Sequence, residues 1–161
     1  MRKFTIFKIG DEIFGIGIDR VVEILKVQKI LTIPGLPDFL SGVMSVWGYI
    51  VAVIDLRRRF GIKPAGKKER IIIVRYGQEK ISFLVDDIKE ILSLTPEEIR
   101  TPPSIFKGFK TEYLTGLGKH GERIIILLNI DNLLTSEEKI ILSESIGLLE
   151  EKGAGAGKTT Q

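Results

Sequence analysis

The chain has no cysteine and a single histidine, His120, among its 161 residues. Disulfides, thiolate metal sites and a cysteine nucleophile are therefore excluded, and so is a metal site built on several histidines. A long apolar run is also missing, because the uncharged stretch that contains Gly42 and Gly48 ends at Asp55 and falls short of the roughly 20 residues of a membrane span. The net charge of +3 is too small to indicate nucleic-acid binding by itself.

No spacing of side chains marks an active site. Asp86 and Asp87 resemble an acidic metal pair, but neighbours on a strand point to opposite faces, and Asp86 aligns with Asp19 as a predicted turn cap. The terminal sequence GAGAGKTT has Lys152 where a phosphate-binding loop needs its first glycine. We therefore expect no catalytic residue, no metal site and no cofactor, and the sequence argues against an enzyme.

What the chain does contain is an internal repeat. The segment Gly10–Leu25 matches Gly77–Leu92 at an offset of 67 residues, and Gly42–Leu56 matches Gly116–Ile130 at an offset of 74. Two repeats are too few for a solenoid, so the pattern predicts two similar subdomains. The positions shared by both copies include Gly10/Gly77, Asp19/Asp86 and Asp55/Asn129.

Most segments read as β-strands joined by glycine turns. The fully apolar runs Ile50–Ile54 and Ile124–Leu128 predict strands that are buried on both faces. Asp55 and Gly61 are predicted to cap a short helix at its two ends. The residues from Thr95 to Glu98 have the form of a capping box.

These features predict a mostly β protein made of two pseudo-repeated five-stranded barrels packed side by side, with short helical turns. We place the repeat units at about residues 4–61 and 70–135, either intertwined or adjacent within one domain of residues 1–152. A C-terminal helix is predicted at about residues 136–152, followed by a disordered tail at 153–161.

Binding functions remain open on the residues alone. The basic clusters Arg57–Arg59 and Lys67–Lys68 allow a basic β-barrel that binds nucleic acid, which a salt-dependent affinity would reveal. Trp47 adjoins a turn glycine and is either an exposed interface anchor or a core residue.

Four segments, in order, resemble the CheW family of bacterial chemotaxis adaptors: GDEIFGIGIDRVVEI, LSGVMSVWGYIVAVIDLRRRFG, ILSLTPEEIR and TEYLTGLG. The resemblance extends from about Phe4 to Glu144 and implies two five-stranded SH3-like barrels without catalytic activity. It implies a cytoplasmic protein at membrane receptor arrays that couples chemoreceptor tips to the regulatory domain of the histidine kinase CheA. Other CheW-like proteins are further expected partners, whereas nucleic acid and membrane insertion are not expected.

The resemblance also implies a receptor-binding groove between the barrels. Carried over by position, its residues are Ile6, Ile18, Val21, Glu23, Ile24 and Trp47. Further interface candidates are Gly42, Ser45 and Arg57. The spacing of Ile18, Val21 and Ile24 suits an apolar docking stripe.

One hairpin departs from the family pattern. Ser45 stands where the family has asparagine, Trp47 where it has arginine, and Ala52 where it has proline. The family arginine pairs with the acidic position that Glu23 holds here, so tryptophan removes a fixed charge and a fork of hydrogen-bond donors. This change predicts altered receptor recognition, as in a pilus-type system or a specialised array, as an alternative to the ordinary adaptor role.

Overall fold

The computed structural model describes residues 1–101, 111–145 and 147. The strands in these ranges are β1 (Arg2–Ile9), β2 (Glu12–Gly17), β3 (Val21–Lys26), β4 (Gly42–Val46), β5 (Tyr49–Asp55), β6 (Arg70–Tyr76), β7 (Glu79–Val85), β8 (Asp87–Leu94), β9 (Ile99–Arg100), β10 (Leu114–His120) and β11 (Arg123–Leu128). Helix α1 spans Leu56–Phe60 and helix α2 spans residues 136–145, and single 3-10 turns lie at Ile18–Arg20, Pro96–Glu98, Thr111–Tyr113 and Ile130–Asn132. Apart from Gly147, the predicted extension of α2 to Lys152 and the predicted tail lie outside the described residues.

The strands form two sheets, each of which curls into a small barrel. Barrel A has the strand order β8-β1-β2-β11-β10-β9, and barrel B has the order β3-β6-β7-β5-β4. Barrel B is continuous in sequence, whereas barrel A is assembled from strands on both sides of it. The predicted mostly β architecture of two barrels is therefore confirmed, although barrel A has six strands where five were predicted.

The two sequence repeats exchange their first hairpins. Hairpin β1–β2 lies in the first repeat but pairs with β8 and β11 of the second, while β6–β7 lies in the second repeat but pairs with β3 and β5 of the first. The two parallel contacts, Phe14 with Ile126 and Ala52 with Ile81, are equivalent under the repeat offsets. Of the two predicted arrangements the structure thus has the intertwined one, and each barrel contains strands of both repeats.

Alternation along the strands divides the apolar side chains among three clusters. One fills barrel B and includes Met44, Val53 and Ile73. Another fills barrel A and includes Phe4 and Ile6. The largest cluster combines side chains from both sheets, and it forms the seam between the barrels; its members include Phe7, Phe14, Ile54, Ile72, Phe83 and Ile126.

The predicted turns and caps are mostly confirmed. Gly10 and Gly77 have nearly the same positive φ, 60° and 62°, at equivalent hairpin turns. Asp55 accepts a hydrogen bond from the backbone N–H of Arg57 at 2.9 Å, and Gly61 ends α1 in the left-handed conformation. The prediction for β11 was wrong at one position, because Ile124 lies next to the turn of its hairpin and is 62% exposed.

Candidate docking surface

Ile18, Val21 and Ile24 form an apolar stripe beside the seam. Val21 pairs with Val74 and Ile24 pairs with Ile72, and both partners belong to the seam cluster. A bulge between Val21 and Glu23 adds one residue, so positions 21 and 24 share a face although simple alternation would separate them. Ile18 and Ile24 are each 38% exposed, which leaves the stripe accessible to a partner.

Glu23 lies on the opposite face of β3. It pairs with Ile73, and directly paired residues of antiparallel strands project to the same side of the sheet. Ile73 belongs to the core of barrel B and also lines a groove with Trp47. The structure therefore divides the predicted site, with Val21 and Ile24 of the apolar stripe on one face of β3 and Glu23 on the other, the face that it shares with Ile73.

This groove, the mouth of barrel B, has a volume of about 340 Å³. Its floor contains Val46, Val51 and Ile73 from the barrel core, and its rim carries Trp47 and Tyr49. The two aromatic residues are 59% and 70% exposed. Large exposed aromatic side chains around an apolar floor are typical of interface anchors, so the structure favours the interface interpretation of Trp47 over the core interpretation.

The backbone at Trp47 is strained. Among the described residues it is the non-glycine residue with a positive φ, 50°, and Gly48 follows with 81°. Such two-residue hairpin turns favour Asn-Gly or Gly-Gly, because both central residues need a left-handed conformation. The equivalent position of the second repeat has a glycine, Gly121, with a φ of 63°. Tryptophan at this turn is therefore unfavourable in two ways: its backbone has a positive φ, and its large apolar side chain is exposed to water.

Three predicted interface residues are not accessible. The side chain of Ile6 is fully buried in the core of barrel A, so it cannot contact a partner. Gly42 is buried, and a side chain there would meet the Leu31 carbonyl oxygen at 2.5 Å, which explains the glycine by close backbone approach. Arg57 is buried among carboxylates. Of the further candidates only Ser45 is exposed, on the outer side of β4.

Arg57 is the centre of a buried ionic cluster. Its guanidinium donates to Asp55 at 3.0 and 3.1 Å, to Glu69 at 2.6 Å and to Asp86 at 3.0 Å. Burial alone lowers the pKa of Arg57, but the hydrogen bonds that it donates to Asp55 and Glu69 outweigh burial and raise it. The side chain is therefore charged at every physiological pH.

Asp86 connects this cluster to barrel A. Besides Arg57, it accepts hydrogen bonds from the backbone N–H groups of Gly10, in the β1–β2 turn, and of Ala65. The interpretation of Asp86 as a solvated turn cap equivalent to Asp19 was wrong, because Asp86 is buried whereas Asp19 is exposed. Its acceptor sites serve residues 21 and 76 positions away, which no local pattern could reveal.

The arginine cluster is not a basic surface. Arg57 is buried, and Arg59 makes an ion pair with Glu138 of α2 at 2.8 Å. Arg58 is the exposed member of the three. The nucleic-acid alternative depended largely on this cluster, and the structure gives it no support.

A second polar network fixes the turn that begins the stripe. Arg20 donates to the carbonyl oxygen of Arg75 at 2.8 and 3.3 Å and to both carboxylate oxygens of Asp131 at 2.9 and 3.2 Å. Arg75 in return donates to the carbonyl oxygen of Asp19 at 2.6 Å. The hydrogen bond from Arg20 holds the pKa of Asp131 below its usual range. Sequence reasoning missed these residues, because the partners are 55 to 111 positions apart.

The hydroxyl of Tyr76 is buried and, in the part of the chain that the structure describes, has no hydrogen-bond partner. Burial raises the pKa of Tyr76 to about 12. Because Tyr76→Phe removes an unpaired polar group and keeps the ring, we expect an unfolding free energy that is unchanged or about 1 kcal/mol higher, measured by urea denaturation at neutral pH. Tyr113→Phe is the control. Because Tyr113 is hydrogen-bonded to Arg59, this variant should have a lower unfolding free energy than the unaltered chain. A destabilised Tyr76→Phe variant would contradict the expectation.

The described ranges, residues 1–101, 111–145 and 147, contain no group of three or more His, Asp or Glu side chains placed to hold a metal ion. They also contain no helix that is long and apolar enough to cross a membrane.

Two interlocked barrels that expose an apolar stripe and an aromatic groove define a β-barrel scaffold for protein docking. A family model described as a CheW-like domain matches residues 3–138, and the chain therefore belongs to the CheW-like family.

Individual relatives agree with this assignment. The chain is 41% identical over 143 residues to the chemotaxis protein CheW of Klebsiella aerogenes, covering 88% of this chain and 86% of the relative. It is 28% identical over 142 residues to the chemotaxis protein CheW of Thermotoga maritima, covering 87% and 90%. The crystal structure of the scaffolding protein TtCheW from Thermoanaerobacter tengcongensis superimposes with a TM-score of 0.76 at 32% identity, covering 83% of this chain and 88% of that one. The predicted pair of SH3-like barrels is thus confirmed.

Proposed function

We propose that this chain is a non-enzymatic chemotaxis adaptor that couples chemoreceptors to the histidine kinase CheA. The family match and the likeness to a solved scaffolding protein support this role. The observation that carries it is the apolar stripe of Ile18, Val21 and Ile24, which remains exposed beside the seam of a fold shared with chemotaxis scaffolds. An adaptor of this kind acts in the cytoplasm at receptor arrays.

The apolar stripe is the proposed contact for the receptor tip. Val21 and Ile24 share one face of the edge strand β3, and Ile18 lies in the turn that precedes it, an arrangement that suits a narrow apolar partner. The kinase regulatory domain, and other CheW-like proteins, then bind elsewhere on the barrels. This division allows receptor and kinase to bind at the same time, which coupling requires.

The mouth of barrel B extends the proposed contact. Glu23 shares its face of the sheet with Ile73, which lines this groove, and Trp47, another lining residue, stands where the family pattern has arginine. A partner that fits this adaptor therefore meets an aromatic surface instead of a cationic one. The exposed indole is the side chain by which this chain would differ from other adaptors.

The test is a pair of titrations of the purified chain, one with a soluble receptor fragment that contains the signalling tip and one with the CheA regulatory domain. We expect both to bind. Ile24→Asp places a charge in the stripe, so we expect its receptor affinity to fall about 10-fold or more, while kinase affinity is unchanged. Binding of neither partner by the unaltered chain would falsify the adaptor role.

Ile91→Asp is the matched control for Ile24→Asp. Ile91 is an exposed isoleucine on β8, the outer strand of barrel A, so the same charge is introduced on a strand outside the stripe. Equal losses of receptor affinity in both variants would mean that the stripe is not the receptor contact. Thermal unfolding of both variants checks that each remains folded.

A further inference from the structure

The turn Ile18–Arg20, which begins the apolar stripe, is not held in place by apolar burial. None of its three residues is buried, and Ile18 is 38% exposed. A turn of three residues without a buried side chain has little intrinsic stability of its own. One backbone hydrogen bond, from the Val21 N–H to the Ile18 carbonyl oxygen, and the two flanking strands shape the turn, and polar side-chain contacts add to them in fixing its position.

These contacts form a reciprocal latch between the turn and the end of β6. The guanidinium of Arg20 donates twice to the carbonyl oxygen of Arg75, and the guanidinium of Arg75 donates to the carbonyl oxygen of Asp19. Arg20 thus holds the backbone at Arg75, and Arg75 holds the backbone at Asp19, the residue before Arg20. Because planar guanidinium groups donate in fixed directions, the latch determines the orientation of the turn as well as its position.

The same arginine also reaches the other barrel. Arg20 binds Asp131 with two parallel hydrogen bonds, and Asp131 lies in the 3-10 turn that follows β11 of barrel A. Arg75, in contrast, lies on β6 of barrel B. A single side chain within the stripe segment therefore contacts both barrels across the seam.

We propose that Arg20, Arg75 and Asp131 are positioning residues for the receptor contact: they hold the apolar stripe in its docking conformation and tie it to the relative position of the two barrels. This assignment rests on the proposed adaptor function and adds to it. The three residues act through Ile18 and Val21, which supply the contact surface. Without the latch, the turn becomes ordered only when the receptor binds, and the entropy lost in that ordering weakens the binding free energy.

The expected effect separates binding from stability. Ion pairs at this level of exposure contribute little to global stability, so the unfolding midpoint should hardly change when the latch is removed. The receptor affinity of Arg20→Gln should fall about 10-fold, since the freed turn loses its preorganised conformation. Kinase affinity should stay within 2-fold of the unaltered chain, because the latch lies at the stripe.

The experiment is a double-mutant cycle of Arg20→Gln and Asp131→Asn, read by receptor titration, kinase titration, thermal unfolding and hydrogen exchange of the Asp19, Arg20 and Val21 amides. We expect both single variants to lose receptor affinity and to exchange these amides faster. The double variant should lose little more than Arg20→Gln alone, because both changes break one network. Arg123→Gln is the control, since it breaks a similarly exposed pair with Glu90 elsewhere on barrel A.

The outcomes distinguish this assignment from the function on which it rests. An unaltered chain that fails to bind receptor overturns the adaptor role and this assignment together. An unaltered chain that binds, with Arg20→Gln binding equally well, overturns only the latch. Additive losses in the double variant would show that Arg20 and Asp131 act independently and not through one network. Unchanged amide exchange would show that the turn is ordered by other means. Either result overturns the assignment.

Discussion

Replacing Asp86 with alanine is expected to lower the unfolding free energy by about 3 kcal/mol, because it breaks a buried ion pair and removes the acceptor of two backbone N–H groups. Arg57 keeps Asp55 and Glu69, but the backbone N–H groups of Gly10 and Ala65 also lose their acceptor. Small domains have unfolding free energies of about 5–15 kcal/mol, so this loss is a large part of the total.

Urea denaturation followed by tryptophan fluorescence and by circular dichroism measures this loss. Asp87→Ala is the control in the adjacent position, where the carboxylate accepts one local hydrogen bond from the Ile88 N–H at 3.0 Å and makes longer contacts of 3.7 and 3.9 Å with Lys68 and Lys89. The unfolding free energy of Asp87→Ala should fall by less than about 1 kcal/mol, because exposed ion pairs contribute little to stability. If Asp86→Ala and Asp87→Ala were equally stable, the buried cluster could not be what joins the β1–β2 turn to barrel B.

Replacing Trp47 with asparagine is expected to weaken partner binding while it stabilises the fold. Exposed tryptophans at interface centres commonly contribute 2 kcal/mol or more, which corresponds to about a 30-fold loss of affinity. Asparagine adopts the left-handed conformation more readily, and Asn-Gly suits this two-residue turn, so stability should rise by about 1 kcal/mol. Opposite changes in affinity and stability are the signature of a side chain kept for binding.

Receptor and kinase titrations, together with urea denaturation, test both parts of this expectation. Ile124→Asn is the control, since it removes a similarly exposed apolar side chain from barrel A. Trp47→Asn with unchanged affinity for both partners would remove Trp47 from the interface. Trp47→Arg restores the family residue opposite Glu23, and a gain in receptor affinity there would support an adaptor specialised away from the usual receptors.

Local features of the fold were predictable from the sequence, whereas the pairing of distant strands was not. Glycine turns, apolar alternation and the caps at Asp55 and Gly61 depend on residues within a few positions of each other. The exchange of hairpins depends on which strand edge β1–β2 meets, and both repeats offer nearly the same edge. The internal resemblance that revealed the repeat therefore also concealed the exchange.

The candidate site shows the same division. The stripe of Ile18, Val21 and Ile24 followed from a resemblance and a spacing, and the structure leaves it accessible. Ile6 and Arg57 were wrongly included, because their burial is decided by strands far away in sequence. The latch between Arg20 and Asp131 was missed for the same reason, since charged residues carry no periodic signal that indicates their partner.

The exchanged hairpins give the chain the topology of a strand-swapped homodimer fused into one polypeptide. A single repeat could not close a barrel alone, but two copies could complete each other about a two-fold axis. The linker at residues 62–69 makes that association intramolecular, so folding no longer depends on protein concentration. Within one polypeptide the two copies need not be identical. One tip now carries Trp47 where its counterpart keeps Gly121, so the two ends of the molecule need not serve the same partner.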